Sequence, residues 1–271
     1  MTPVTSPGRP TDRLPRPDPV GPPPARTAPD ASPSDTQPLR PATARREPGC
    51  VGSASVRGPR RTAADATAVQ GAGADLAVAV ADGVGDTDLA ARAARVAADV
   101  ATTMAPLAGS REALLAARDA VRLEPDDADA VMVVAAGLPG GGWSVSWVGD
   151  CRALLVTDRG VARLTHDHTV AQWLRDRGKD ALPEWEHVVM TTVGSAGPDT
   201  LGHVRGPAAQ GTLVLVSDGV HRPLDDATIA FLVRRAVTPA RAARDLVDAA
   251  LAAGGRDNAS AAVVPVPAAW A

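Results

Sequence analysis

The sequence predicts an α+β fold in which antiparallel sheets are covered by pairs of helices. Between residues 130 and 164, short apolar segments follow one another through glycine-containing turns, which favours antiparallel pairing of neighbouring strands. Helical patterns occur in consecutive pairs instead of alternating with single strands, which disfavours a parallel βαβ arrangement. The helices are therefore expected to form layers over the sheets.

The individual elements follow from hydrophobic periodicity and from the residues that bound each segment. Strands are predicted from short apolar runs at residues 76–81, 130–136, 143–148, 153–156, 161–164, 188–193, 213–216 and 259–266. Helices are predicted from Leu, Val and Ala at three-to-four spacing at residues 86–104, 110–123, 168–177, 225–235 and 239–253. The polar stretch 179–186 is predicted to be a surface loop.

Residues 1–48 differ in composition from the rest of the chain. They contain fourteen of the 25 prolines and almost no large apolar residue. Such a segment buries too little apolar surface to offset its ordering entropy, so a disordered arm is expected. One folded domain is expected over residues 49–268.

The composition excludes several classes of protein. Of the 271 residues, 45% are hydrophobic, but there is no Tyr and one Phe, so the core must be packed with aliphatic side chains. The net charge of −3 argues against a nucleic-acid-binding protein. No apolar run approaches the ~20 residues of a membrane span, and no secretion signal is evident, so a cytoplasmic monomer is expected. Cys50 and Cys151 fit neither a disulfide framework nor a zinc spacing, which favours reduced thiols.

Four aspartates stand at the edges of predicted strands. Asp82, Asp150 and Asp218 each follow an apolar strand beside a glycine, and Asp257 precedes the last strand. An aspartate beside glycine often caps a turn. Alternatively, several such carboxylates can converge on Mg²⁺ or Mn²⁺, which prefer oxygen ligands. Spacing alone leaves both interpretations open.

Five short segments, in order, resemble the ADGxG, GDSR, LTxDH, SDG and GRDN motifs of the metal-dependent serine/threonine protein phosphatases of type 2C. One such tetrapeptide is a weak signal, whereas five in order over residues 51–267 are specific. The segments are Val80-Ala81-Asp82-Gly83-Val84-Gly85, Val148-Gly149-Asp150-Cys151-Arg152, Leu164-Thr165-His166-Asp167-His168, Val216-Ser217-Asp218-Gly219 and Gly255-Arg256-Asp257-Asn258.

The resemblance implies a four-layer αββα sandwich of two antiparallel sheets, with a metal centre at one end. By matching position, Asp82 would bridge two Mn²⁺ or Mg²⁺ ions, and the Gly83 carbonyl would bind the first. Asp218 and Asp257 would hold the second ion, and Asp150 a possible third, to which Asp218 could also contribute. Asp82, Asp218 and Asp257 would be the catalytic residues, acting through a metal-activated water on phosphoserine or phosphothreonine of a protein substrate. No catalytic Ser or Cys is then expected, and Cys151 is interpreted as structural.

The first motif departs most from the family pattern. The stretch Arg60-Arg61-Thr62-Ala63-Ala64-Asp65 stands where the family has an arginine, two residues, Asn, an acidic or amide residue, and Asp. Counting back from Asp65 places Arg60 in the phosphate-binding position, whereas counting forward from Gly58 favours Arg61. Ala64 removes a carboxylate that could reach a metal ion, so the second ion is expected to bind more weakly.

The histidines are ambiguous. After Asp82-Gly83 the family often continues with Gly-Gly or His-x-Gly, whereas this chain has Val84 and therefore no histidine at that point. His187 matches another family histidine only loosely. His166 and His168 flank Asp167, but their place between a strand and a helix favours capping and packing over metal binding.

Two functional hypotheses follow. Retention of Asp82, Asp218 and Asp257 favours an active metal-dependent phosphatase, whereas Ala64 and the altered first motif favour a catalytically weak regulatory or binding module on the same fold. A third possibility is an unrelated α+β fold with chance turn aspartates.

Overall fold

The computed structural model describes residues 51–125, 127–139, 141–207 and 211–266. The expected N-terminal arm, residues 1–48, and Cys50 lie outside these ranges. The described residues form two antiparallel five-stranded sheets with helices packed on their outer faces. The predicted four-layer α+β sandwich is confirmed.

The first sheet has the strand order β1-β10-β9-β6-β7, and every neighbouring pair is antiparallel. Its strands are β1 Gly52–Val56, β6 Arg152–Thr157, β7 Gly160–Arg163, β9 Gly211–Val216 and β10 Ala259–Val266. The second sheet has the order β2-β3-β4-β5-β8. Its strands are β2 Asp65–Gln70, β3 Ala77–Gly83, β4 Ala130–Gly137, β5 Trp143–Val148 and β8 Gly202–Gly206.

Within the described ranges, six α-helices complete the layers: α1 Asp88–Ala108, α2 Ser110–Val121, α3 Val170–Arg175, α4 Asp218–His221, α5 Asp226–Arg235 and α6 Pro239–Ala252. N-cap side chains with a hydroxyl or a carboxylate fix the start of four of these helices. Each cap oxygen accepts a hydrogen bond from the backbone amide three residues later, which would otherwise lack a partner. These caps are Thr87, Thr169, Asp225 and Thr238. None of the helices in the described part of the chain is both long and apolar enough to cross a membrane.

The core is aliphatic, as the composition requires. Between the sheets, side chains such as Val80, Val133 and Leu215 are fully buried. Trp143 and Trp147 are buried in the same layer. On the outer face of the second sheet, α1 contributes mostly alanines, so its backbone lies close to the strands. Helices α5 and α6 cover the first sheet through residues such as Ile229 and Leu246. This packing leaves the strand ends as the place where polar groups can gather.

Most predicted elements are confirmed, with shifts of a few residues at their ends. Strands 143–148 and 259–266 match β5 and β10 in both bounds. The strand predicted at 188–193 is wrong: only Val189 forms an isolated bridge, with Thr169, and Thr192 begins a turn closed by Ser195. Strands β1, β2 and β8 and the short helix α4 were not predicted, because their sequences are dominated by Gly, Ala, Ser, His and charged residues.

Candidate metal centre

A polar cleft of about 240 Å³ lies where several strand ends come together. The end of β3, the turn between β5 and β6, the end of β9 and the start of β10 all contribute to its wall. The cleft is lined by Arg60, Ala64, Asp82, Gly83, Val84, Gly85, Asp86, Val131, Asp150, His187, Val189, Asp218, Arg222, Asp257 and Asn258. The structure therefore brings all four strand-edge aspartates of the sequence analysis to one cleft.

Two glycines allow the close backbone approach that this convergence needs. A Cβ on Gly83 would lie 2.4 Å from the carbonyl oxygen of Ala90, at the start of α1. A Cβ on Gly219 would lie 1.8 Å from the carbonyl oxygen of Asn258. Neither distance can be accommodated without moving backbone, so the glycines of the ADGxG-like and SDG segments are required by packing around the cleft.

The carboxylates of the cleft are both buried and close to one another, and each of these conditions disfavours their charged forms. Burial, followed by the charge of Asp65, raises the pKa of Asp82 well above its ordinary value. Burial also raises the pKa of Asp150 to about 6 and raises that of Asp218. Without positive charge, the cluster thus retains protons near neutral pH.

Arginines supply part of that positive charge. Nη2 of Arg60 lies 2.5 Å from Oδ2 of Asp257. Nη2 of Arg222 lies 2.9 Å from Oδ2 of Asp150 and 3.0 Å from Oδ2 of Asp218. Of the two arginines that sequence counting left open, Arg60 lines the cleft, whereas Arg61 is exposed and is not part of its lining.

Asp65 belongs to the same carboxylate group, although the sequence analysis used it only to count positions. It pairs in register with Asp82 across β2 and β3, and its buried Oδ2 accepts a hydrogen bond of 2.8 Å from Oγ of Ser217. Burial raises the pKa of Asp65 to about 7, partly offset by the hydrogen bond from Ser217. The available signal was its place as the last residue of the first motif, directly before a strand.

Asn258 joins the two ends of the domain sequence. Its Nδ2 donates to the carbonyl oxygens of Arg57 at 2.7 Å and Thr62 at 3.0 Å, and its Oδ1 accepts from the Ala64 amide at 2.6 Å. This buried side chain therefore fixes the loop that carries Arg60. In the sequence, Asn258 is visible only as the last residue of the GRDN-like segment, which by itself indicates no role for it.

The donor set suits hard divalent cations. Oδ1 of Asp65 and Oδ1 of Asp218 are buried and have no hydrogen-bond partner among the described residues, an arrangement that is costly unless a cation or water satisfies them. Within those residues, no three acidic, histidine or cysteine side chains already stand as a closed ligand set. An arginine contacts Oδ2 of each of Asp150, Asp218 and Asp257, so an ion reaches these carboxylates through the other oxygen or by displacing the arginine.

The remaining predicted residues lie in packing or capping positions or at the rim. Nε2 of His166 lies 2.8 Å from Oδ2 of Asp176, and Arg152 binds Asp167, so these residues form no metal site with His168. Burial lowers the pKa of His168 to about 4. Cys151 is buried in the layer between the sheets, and burial raises the pKa of its thiol, consistent with a structural role.

The fold and this cleft define a class: an αββα sandwich with carboxylates gathered at one end. A family model described as Protein phosphatase 2C matches residues 185–259. A search of curated protein sequences gave no match.

Several solved structures share the fold. The catalytic domain of the serine/threonine protein phosphatase PstP, solved with two manganese ions, is 26% identical, with a TM-score of 0.64 over 81% of this chain and 98% of that one. The phosphatase MsPP from Mycobacterium smegmatis, solved with cacodylate, is 26% identical, with a TM-score of 0.68 over 80% and 98%. PppA from Pseudomonas aeruginosa, at 23% identity and a TM-score of 0.69 over 79% and 96%, supports the fold alone. The family model over residues 185–259 and these structures agree with the resemblance of the five motifs to the type 2C protein phosphatases.

Proposed function

We propose that this chain is a metal-dependent phosphatase that hydrolyses phosphoserine or phosphothreonine in proteins. The observation that carries the proposal is the convergence of Asp82 from the second sheet with Asp218 and Asp257 from the first, in a cleft that also contains Arg60. Carboxylates from two sheets with an arginine beside them form a site for cations and a phosphate group. The similar structures PstP and MsPP, which are serine/threonine phosphatases, the first solved with manganese, point the same way.

In this proposal, Asp82, the Gly83 carbonyl, Asp218 and Asp257 hold two Mn²⁺ or Mg²⁺ ions, and Asp150 is the remaining predicted ligand. When bound, the ions supply an activated water at neutral pH and neutralise charge on the phosphoryl group. The chain itself holds the carboxylates in place: Asp82 through strand register with Asp65, and Asp257 through its Oδ1, which accepts from the Asn258 amide at 2.8 Å.

Arg60 is the proposed phosphate-binding residue. Its guanidinium is bound to Asp257 in this structure, and about 40% of its side chain is exposed, so it can reach a ligand in the cleft. The planar guanidinium can bind two phosphate oxygens at once, which orients the phosphoryl group. With a cation bound at Asp257, Arg60 would be free for this role.

A catalytically weak regulatory module is the second candidate. The observation that favours it is Ala64, a buried residue that lines the cleft at the place where the resemblance implies an acidic or amide side chain. Loss of that ligand weakens the hold on a cation. A cytoplasmic location and a monomeric state remain predictions.

Hydrolysis of p-nitrophenyl phosphate and of a phosphothreonine peptide tests the proposal, with Mn²⁺, with Mg²⁺ and with EDTA. We expect metal-dependent turnover that is lost in Asp82→Ala and retained in Asp245→Asn, whose carboxylate pairs with Arg241 on α6 and does not line the cleft. A folded wild-type protein without turnover would favour the regulatory module.

A further inference from the structure

Arg222 occupies an unusual position in the cleft. One nitrogen of its guanidinium, Nη2, lies 2.9 Å from Asp150 and 3.0 Å from Asp218, and so bridges two carboxylates that come from different strand ends. The resemblance assigns these same two aspartates to a possible third ion. In this structure a side chain of the protein itself supplies the positive charge between them.

The backbone around Arg222 is fixed on several sides. Its amide donates to the Asp218 carbonyl at 3.0 Å, which places the side chain one helical turn after the carboxylate it binds. His221 bonds through Nε2 to the backbone oxygen of Asp150 at 2.8 Å, and Gly219 packs against the backbone of Asn258. The segment from Asp218 to Arg222 is thus anchored to both neighbouring motifs, and the guanidinium needs no loop movement to reach its partners.

The charges at this place favour the guanidinium over a metal ion. Only 5% of the Asp150 side chain and 10% of the Asp218 side chain are exposed, so both carboxylates need a nearby cation to remain ionised. Arginine keeps its charge at every pH at which the protein is folded. A divalent ion between the same oxygens would be repelled by it at close range, unless the guanidinium left both carboxylates. Asp150 and Asp218 therefore do not fit a further ion while Arg222 is present.

We propose that Arg222 is a built-in cation that replaces a third metal ion between Asp150 and Asp218. It acts as a positioning residue: it neutralises Asp150 and orients Asp218, whose other oxygen, Oδ1, has no partner among the described residues and stays available for a metal ion. The inference rests on the proposed function, and it deepens it by limiting the centre to two ions.

The number of bound ions tests the inference without reference to activity. Equilibrium dialysis against Mn²⁺ with elemental analysis, together with electron paramagnetic resonance of bound Mn²⁺, would be applied to the full chain. We expect about two ions per chain in the wild type and in Arg222→Lys, which keeps the charge. We expect about three in Arg222→Ala and in Arg222→Gln, the latter retaining most of the side-chain volume. Arg163→Ala, which breaks an exposed ion pair with Asp226 outside the cleft, should resemble the wild type.

A double variant identifies where the extra ion binds. If Arg222→Ala opens a site between the two aspartates, then Asp150→Ala in that background should return the number of ions to about two. Three ions in the wild type, or no gain in Arg222→Ala and Arg222→Gln, would overturn the inference while leaving the phosphatase proposal intact. Two ions in the wild type and three in these variants, but no hydrolysis by any of them, would support the inference and refute the phosphatase proposal.

Discussion

Two of the stretches of chain that line the cleft differ in how closely they keep the family pattern. The C-terminal wall, residues 216–258, carries Asp218, Asp257 and Asn258 and lies wholly within the range matched by the family model, residues 185–259. The N-terminal wall, residues 60–86, carries Arg60 and Asp82 but lies outside that range, and has Ala64 where an acidic or amide residue is expected.

This difference shows that the frame of the site and its donor groups can vary separately. Ala64 has no carboxylate, yet its backbone amide donates to Asn258 and its carbonyl oxygen accepts from Gly83 at 3.1 Å. The N-terminal wall is therefore held in position by backbone hydrogen bonds that any residue can make. Only the side chain at position 64 departs from the family pattern. The C-terminal wall supplies Asn258, whose side chain holds the loop that carries Arg60.

The largest expected effect tests whether both walls are needed for catalysis. Asp218→Asn and Asp82→Asn remove one carboxylate from each wall, and each should lower kcat/KM by on the order of 10³-fold or more, because the charge that holds the cations is lost. Circular dichroism should show both variants folded, since each removes a repelling charge from a buried cluster. Turnover within a few-fold of wild type in either variant would show that the carboxylate of that wall does not belong to the metal centre.

The next effect tests the connection between the walls. Asn258→Ala should lower the free energy of unfolding by about 1–3 kcal/mol, because it leaves the buried Ala64 amide without its acceptor. It should also lower kcat/KM by about 10–100-fold through loosening of the Arg60 loop. Urea unfolding and steady-state kinetics measure the two quantities. Gln172→Ala removes an exposed side-chain amide that bonds Asp176 and serves as the control; equal behaviour of the two variants would contradict the connecting role.

A third prediction concerns the pH dependence of the metal-free protein. The pKa of Asp65 is about 7 in the folded protein against 3.8 ordinarily, so the folded state binds the extra proton. The stability that this provides is complete below pH 3.8 and is lost as the pH rises towards 7. His168 and His221, with pKa values lowered by burial to about 4 and about 3, act in the opposite sense below pH 6.5, so the contribution of Asp65 must be isolated by a variant.

Asp65→Asn provides that variant. In EDTA, urea unfolding should show the wild type losing stability relative to Asp65→Asn between pH 4 and pH 7, by roughly a few kcal/mol. Saturating Mn²⁺ should reduce the difference, because a cation favours the ionised carboxylates. A difference that is constant with pH, or that changes in favour of the wild type, would show that Asp65 is ionised in the metal-free fold.

The smallest expected effect restores a donor to the N-terminal wall. Ala64→Glu should lower the Mn²⁺ concentration for half-maximal activity roughly tenfold, since affinity for such ions rises with the number of charged oxygen ligands. Ala63→Glu adds the same side chain at the neighbouring exposed position and should have little effect. No difference between the two variants would mean that Ala64 does not limit metal binding.

The sequence by itself determined the α+β class, the strands that end in aspartates and the resemblance to the type 2C phosphatases. These features depend on local periodicity and on short motifs, and they are visible in segments such as β5 and β10. The strand wrongly predicted at 188–193 and the missed strand β1 show the limit of local patterns, because β1 is held by pairing with β10, which is distant in the chain. The missed strand β2 pairs with its neighbour β3, but its own sequence has too few large apolar residues to indicate a strand.

Only the tertiary structure decided which charges meet. Counting positions left Arg60 and Arg61 as alternatives, and the fold placed Arg60 against Asp257, 197 residues away. The fold also pairs Asp65 with Asp82 across two strands, and it places Asn258 where it holds the Arg60 loop. Arg222 comes to lie between Asp150 and Asp218 and contacts both. The physical reason is that electrostatic interactions depend on distance and burial in three dimensions, which strand register and helix packing set, whereas a motif records only residue type and spacing.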